Sequence, residues 1–540
     1  MKRLFVTTSI GGLGLFALLL VPLQGCTDLS ETPISSITPS HFFHTEGEVL
    51  AALAGVYAGL RNTASEGEYW GVSEVSTDEM VVPTRGSDWY DNGTWLETHR
   101  QTWSANSPAT LSFVNNVWNT AYAGIARANV LVEALQSTTV PNEAAIEGEA
   151  RFLRAFYYYL LMDTFGGVPI ATTTELKARA RATRDSTFRF IESELLAIRP
   201  NLPKQWGDTT LLGTKVGRVT KGAVNALLAN MYINARVFKR EAAGPTGIDP
   251  IAYNTCRGIL VSGNVDACQA AINVADSIIN SGVYQLAPAF TDNFTADNGT
   301  SPENIFVIKF AAADGLGFNM VMRTLHYNQF SPSPWNGFAT LAQTYNAFDS
   351  LDRRRKMFLV DTQVNVETGR PATDRKGNPL VFTTTIANVT SATEGEGARI
   401  YKWPADPKHV QQNNGNDFAW FRLAEIYLIK AEAELAGGTG TSTPLALLRL
   451  VRARAFTGAD TLSAVTTDVI LRERLFELNS EGKRRQDLVR HGKFTAPFQY
   501  KLNTTTPTED FRVLMPIPQT QIDANALLCQ NPGYGPPACP

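Results

Sequence analysis

The feature that most constrains this chain is residues 152–162, FLRAFYYYLLM, within the run NEAAIEGEARFLRAFYYYLLMDTFGG. The run has helical spacing, and from residue 152 onward apolar side chains cover nearly every side. A helix apolar on one face lies on a core, whereas one apolar all round must be enclosed by neighbours. Gly166, Gly167 and Pro169 stop it. Phe156, Tyr157, Tyr158 and Tyr159 therefore read as core. The enclosing elements must be further helices, and the sequence supplies them. TEGEVLAALAGVYAGLRN carries Glu46 and Glu48 at its start, where acids suit the helix dipole. NNVWNTAYAGIARANVLVEALQS and KGAVNALLANMYINARVF follow the same period. Helical spacing returns in DFAWFRLAEIYLIKAEAELAGG, PLALLRLVRARAF and TDVILRERLFELNSEGKRRQDLVRHG. Ala424, Tyr427, Leu428 and Ala431 share one face there, as in tetratricopeptide-type helical pairs, although no clean repeat is visible.

Residues 241–410 differ, with many Gly, Pro, Asn, Asp and Thr and one strand-like run, NIFVIKF. The expectation is a mainly α fold over residues 41–540. It has an N-terminal helical part (41–240), a loop-rich part with a few strands and short helices (241–410), and a C-terminal helical part with a tail (411–540).

The chain begins with a different kind of segment. Lys2 and Arg3 precede an apolar run that ends at Leu23-Gln24-Gly25-Cys26, the pattern of an export signal over residues 1–25. Its last four residues resemble the lipobox of bacterial lipoproteins, which makes Cys26 the acylated first residue of the mature chain. An ordinary cleaved signal that happens to carry a cysteine is the alternative. Residues 26–40, rich in Ser, Thr and Pro, then read as a lipidated tether. Multiple acyl chains anchor a protein to a membrane without spanning it. Without the leader the chain has 46 basic and 51 acidic residues, a net charge of −5 that argues against nucleic acid or an anionic lipid surface as main partner. Four cysteines remain. Their spacing suggests pairs 256–268 and 529–539, though sequence alone allows three connectivities. With no CxxC and only scattered histidines, a zinc site is the weaker reading.

Enzyme motifs are absent: there is no H-E-x-x-H, no G-x-S-x-G and no P-loop. GGTGTS at 437–442 lacks the Gly-Lys-Ser/Thr ending and reads as a helix linker. No full EF-hand loop occurs, so no cofactor is expected, and a structural calcium ion stays without an assigned site.

Four blocks, EARFLRAFYYYLLMDTFGGVPI, FRLAEIYLIKAEA, LRERLFELNSEGKRRQDLVRHGKF and LMPIPQTQIDANALLCQNPGY, together resemble the SusD/RagB family of Bacteroidetes outer-membrane lipoproteins. They stand in the family's order and cover essentially the whole mature chain. The resemblance implies a helical scaffold of tetratricopeptide-type pairs, with a looser part that carries the ligand site. It implies a cell-surface protein, not an enzyme, that sits over a SusC-type TonB-dependent transporter and passes it oligosaccharides, or in some cases peptides. The blocks themselves read as scaffold: Glu481, Arg484, Arg485, Asp487 and Arg490 as structural ion pairs, with Glu481 and Arg485 spaced to pair on one helix face.

A sugar binder wants exposed aromatic rings beside a few fixed polar groups. Residues 68–103 hold Trp70, Trp89, Tyr90, Trp95 and Trp103 among Asp78, Arg85, Asp88 and Asn92. The turn formers of SDWYDNGTW make its aromatics unsuited to a repeated helix-face core. The family resemblance places an aromatic and an amide in this part of the ligand site, here Trp89 and Asn92, with Asp78 and Arg85 as helpers and Tyr90 and Trp95 nearby. Residues 325–349 supply Trp335, in a WNGF segment similar to one near the family's ligand, and Tyr327. The competing reading for these rings is that they staple loops to the scaffold. A surface glycoside hydrolase would instead need two carboxylates about 5 to 9.5 Å apart, such as Asp78 with Asp88 or Asp91. A protein-only scaffold would leave Trp89 and Trp335 without a common cleft.

Overall fold

The computed structural model describes residues 43–208, 215–239, 249–458 and 460–536. The signal segment, Cys26 and the tether lie outside the described residues, as does Cys539.

The enclosed helix is Glu143–Phe165, and every residue from 152 to 162 is buried. It packs against helices Glu46–Ala58, Asn115–Leu135 and Arg184–Ile198. Its polar groups find partners in this dry setting. Tyr157 donates to Val56 O at 3.0 Å, Arg154 reaches Glu194 at 2.5 Å, and Asp163 accepts from Tyr69 and Arg485. Each large side chain so buried contributes about 1.5–3 kcal/mol, which is why one all-apolar helix organises the N-terminal half. Glu46–Ala58 begins with a capping box. Glu48 N–H donates to the Thr45 hydroxyl and Thr45 N–H to the Glu48 carboxylate.

The second layer runs from Lys221–Ile233 onto Ala267–Ile279 and on to Leu423–Leu435, which carries Pro444–Arg452 and Thr467–Leu478. Tyr427, Leu428 and Ala431 do meet Leu447, Leu448 and Ile470 across this contact. Within the loop-rich part stands the helix Ala267–Ile279, which Asp266 caps by accepting from Cys268 N–H. Cys268 is bonded to Cys256, and Cys529 is also disulfide-bonded.

Two helical expectations are corrected. Phe418–Arg422 is a strand, pairing antiparallel with Asn304–Ile308 inside NIFVIKF; the helix starts only at Leu423. The aromatic FAWF suits a strand buried on both faces. The long run from residue 467 is two helices, Thr467–Leu478 and Arg484–Arg490. Ser480 and Gly482 between them have positive φ of 64° and 74°. That turn removes the expected Glu481–Arg485 pair: Glu481 meets Arg422 and Lys402, while Arg485 meets Asp163. Both remain structural ion pairs, as do Arg484, Asp487 and Arg490.

Candidate functional site

The two aromatic stretches are joined by backbone. Val81 and Ala339 exchange hydrogen bonds at 2.9 and 3.0 Å, and Arg85 Nε donates to Asn336 O at 2.9 Å. Residues 85 and 88 close a tight turn at Gly86 and Ser87, with Arg85 N–H to Asp88 O at 2.9 Å and the return bond at 3.1 Å. The chain then enters a run of left-handed residues: Trp89 (φ 61°), Asp91 (37°), Asn92 (55°) and Gly93 (83°). Asn336, next to the second tryptophan, has φ 52°. A positive φ at a bulky residue is an outlier that the surroundings must impose, and such residues gather at binding sites.

What imposes it is the aromatic packing. Trp89 Nε1 donates to Trp335 O at 2.6 Å, and the two ring centroids are 6.5 Å apart. Trp89 meets Trp95 and Phe338 edge-on at 5.5 and 5.4 Å. Gly337 lies beneath it, where an added Cβ would fall 2.4 Å from Trp89 Cε2. Trp89 and Trp335 are each half-buried. Tyr90 beside them is 58% exposed, and Asn92 is exposed.

Tyr327 is half-buried and donates to Asp88 Oδ2 at 2.5 Å. Burial and that carboxylate push its hydroxyl up to about 12. The Arg375 guanidinium lies 4.3 Å above its ring, a cation–π contact. Arg375 Nε also binds Glu394 at 2.5 Å, and His326 Nε2 meets the other Glu394 oxygen at 2.9 Å. Burial works to raise the Glu394 carboxyl, but the Arg375 N–H, its guanidinium and His326 together hold it below its ordinary range. Desolvation in turn holds His326 below its ordinary value.

Trp89, Trp335 and Tyr327 are thus brought together, and Tyr90 and Asn92 are exposed on the turn that carries Trp89. Three other candidates are committed within the fold. Trp95 is buried on helix Thr94–Arg100, with Nε1 on Asp91 at 2.6 Å and its ring 4.5 Å from Phe113. The turn formers before it end one residue too early to keep it in a loop. Asp78 gives both oxygens to Arg484 at 2.7 Å. Arg85 is buried and spends its nitrogens on backbone carbonyls. Trp70 and Trp103 are core, donating to Ser480 O and the Tyr534 hydroxyl. Of the carboxylates considered for hydrolysis, Asp78 is locked by Arg484, Asp91 by Trp95 and Asp88 by Tyr327. The residues that sequence reasoning missed are Arg375, Glu394 and His326. Arg375 and Glu394 lie beyond the second aromatic stretch, in turns with no aromatic to mark them, and His326 lies inside it. No group of three or more His, Cys, Asp or Glu side chains able to hold a metal occurs among the described residues.

Residues 268–534 match the SusD family, and residues 45–233 match a family described as starch-binding and associating with the outer membrane. The chain belongs to the SusD family. It is 24% identical to SusD-like protein P2 of Formosa agariphila over 96% of this chain and 99% of that one. It is 25% identical to the starch-binding protein SusD of Bacteroides thetaiotaomicron over 86% and 84% of the two chains. Among solved structures, surface glycan-binding protein A of Bacteroides thetaiotaomicron, in complex with laminarihexaose, superposes with a TM-score of 0.68 at 23% identity. That match covers 90% of this chain and 99% of the other, and it establishes the shared SusD fold. No described helix of this SusD-family chain is long and apolar enough to cross a membrane.

Proposed function

We propose that the chain is a cell-surface lipoprotein, anchored through Cys26, that captures oligosaccharides and delivers them to a SusC-type TonB-dependent outer-membrane transporter. The single observation that carries the reading is the Trp89–Trp335 pair. Two half-buried indoles, Trp89 donating from Nε1 to the Trp335 carbonyl at 2.6 Å, with Asn92 and Tyr90 exposed on the same turn as Trp89, make an apolar platform with polar edges. Sugar rings present the complementary C–H face and hydroxyl rim. The relatives named for starch and glycan binding support the same reading. Asn92 would fix a hydroxyl, and Tyr327 would extend the platform toward Arg375. Capture of this kind needs no cofactor and no bond cleavage, and the carboxylates near the platform are already spent on fixed donors.

The test is a glycan screen of the chain from residue 27, with product release followed in parallel. The expected outcome is binding without turnover. Changing Trp89 and Trp335 together to alanine should abolish binding while lowering Tm by no more than a few degrees. Unchanged affinity would remove the pair from the site, and turnover would replace capture with hydrolysis.

A further inference from the structure

Beside Tyr327 opens a cavity of about 400 Å³, walled by residues 374–376, 379–381 and 392–395 and by Arg85 and Gly86. Its acidic groups are already satisfied. Glu394 accepts from His326, Arg375 N–H and Arg375 Nε, and Asp374 accepts from Lys376 N–H and from the backbone and side chain of Asn378. Glu396, the other acid nearby, accepts from Thr393 and Ala387 N–H.

Its cations are not satisfied to the same degree. The Arg375 side chain is 52% exposed; Nε holds Glu394, and Nη1 stands 3.6 Å from Asp88. Lys376 is exposed and enters no ion pair among the described residues. Two further guanidinium groups, Arg85 in the wall and Arg399 behind it, are buried without a carboxylate hydrogen-bond partner. Arg85 donates to the carbonyls of Asn336, Thr393 and Glu396. Arg399 donates to those of Glu394, Glu396 and Gly397 and to Asn336 Oδ1. Burial pushes Arg85 down to about 10 and Arg399 well below its ordinary value, the cost of holding charge in a low-dielectric wall. The Arg85 charge, opposed by those of Glu394 and Glu396, projects its field into the adjoining cavity.

We propose that this cavity is a subsite for an anionic substituent of the captured glycan, a uronate carboxylate or a sulfate ester, with Arg375 and Lys376 as its donors. The proposal rests on the glycan-capture reading. Arg375 makes the two sites continuous, since it covers Tyr327 and lines the cavity. A planar guanidinium matches carboxylate and sulfate oxygens in pairs.

The test is a glycan array carrying neutral β-glucans, oligogalacturonides and sulfated carrageenan oligosaccharides, followed by titration of the best ligand of each class at 50 and 300 mM salt. The expected result is at least tenfold tighter binding of one charged class than of the neutral one, weakening with salt. The uronate and sulfate arms separate the two sources of charge. Lys376→Gln should weaken the charged ligand at least threefold and flatten its salt dependence, while Lys376→Arg restores it. Preferred binding of neutral glycans, or equal weakening of all classes by Lys376→Gln, would overturn the subsite and leave capture standing. Binding of no glycan would overturn capture itself.

Discussion

At the scale of single residues, the candidate site depends on one close approach. Gly337 allows the Trp89 indole to lie against the backbone, and an added Cβ would overlap the ring at 2.4 Å from Cε2 and 2.5 Å from Cζ2. The ring cannot shift toward Trp95 or Phe338, which already pack edge-on against it. Gly337→Ala should therefore displace Trp89, break its bond to Trp335 O, and weaken glycan binding about tenfold, roughly 1.4 kcal/mol. Isothermal titration of the variant measures this. An affinity equal to that of the unmodified chain would show that the ring position does not matter. The tryptophans could be singled out from composition and turn chemistry alone. Their hydrogen bond could not, because Trp89 and Trp335 are joined by a contact between loops 246 positions apart.

At the scale of elements, the turn between helices Thr467–Leu478 and Arg484–Arg490 is decisive. Trp70 Nε1 donates to Ser480 O at 2.8 Å, Glu79 accepts from Ser480 N–H at 2.9 Å, and Glu74 accepts from Gly482 N–H at 2.5 Å. Burial raises both carboxyls, Glu79 well above its ordinary value, with the neighbouring Glu74 charge adding to the rise. Gly482 sits at φ 74° with open space around it, its nearest neighbour being Trp70 Cδ1 at 3.9 Å. Gly482→Ala should cost about 1–2 kcal/mol through backbone conformation alone, read as a lower midpoint in a denaturant melt. An unchanged midpoint would mean that the turn relaxes at no cost. Helical spacing in the sequence runs straight through this segment, and the break is set by left-handed Ser480 and Gly482, held by buried partners from residues 70–79. The same failure hid the strand Phe418–Arg422, whose partner lies over a hundred positions earlier.

At the scale of the whole molecule, a buried ion cluster ties the loop-rich part to the C-terminal helices. Arg422 meets Glu303, Glu477 and Glu481 at 2.6–2.8 Å, and Arg354 meets Glu473 and Glu477 at 2.7 and 2.9 Å. Arg454 also reaches Glu477, at 2.5 Å. Desolvation works to raise Glu477, but Arg454, Arg422 and Arg354 hold it far below its ordinary value. Arg422 and Lys402 hold Glu481 below its own, and Arg490 and His491 do so for Glu432. A carboxyl whose folded value is depressed adds stability that is present above its unfolded value of about 4.3 and lost as pH falls below it. The chain should therefore lose Tm steeply between about pH 4 and pH 2. Glu477→Gln should lower stability by about 3–5 kcal/mol at pH 7, since it leaves buried guanidinium charge uncompensated, and should make the acid loss shallower. Calorimetry across that pH range checks both; a Tm flat in acid would contradict the role assigned to the cluster.

The sequence by itself determined the helical class, the enclosed helix, the family and the tryptophan-rich stretches. These rest on period, composition and short motifs, all of which are local. Tertiary structure decided which aromatics stay open. Trp89 and Trp95 stand in one short stretch, yet Trp95 is buried against Phe113 and Trp89 is held at positive φ over Gly337. It also decided that Arg375, Glu394 and His326 stand beside Tyr327, and that Asp78 and Arg85 are spent on the scaffold. Exposure and polar partnership are set by what the rest of the chain brings alongside, through contacts whose closure no local pattern records.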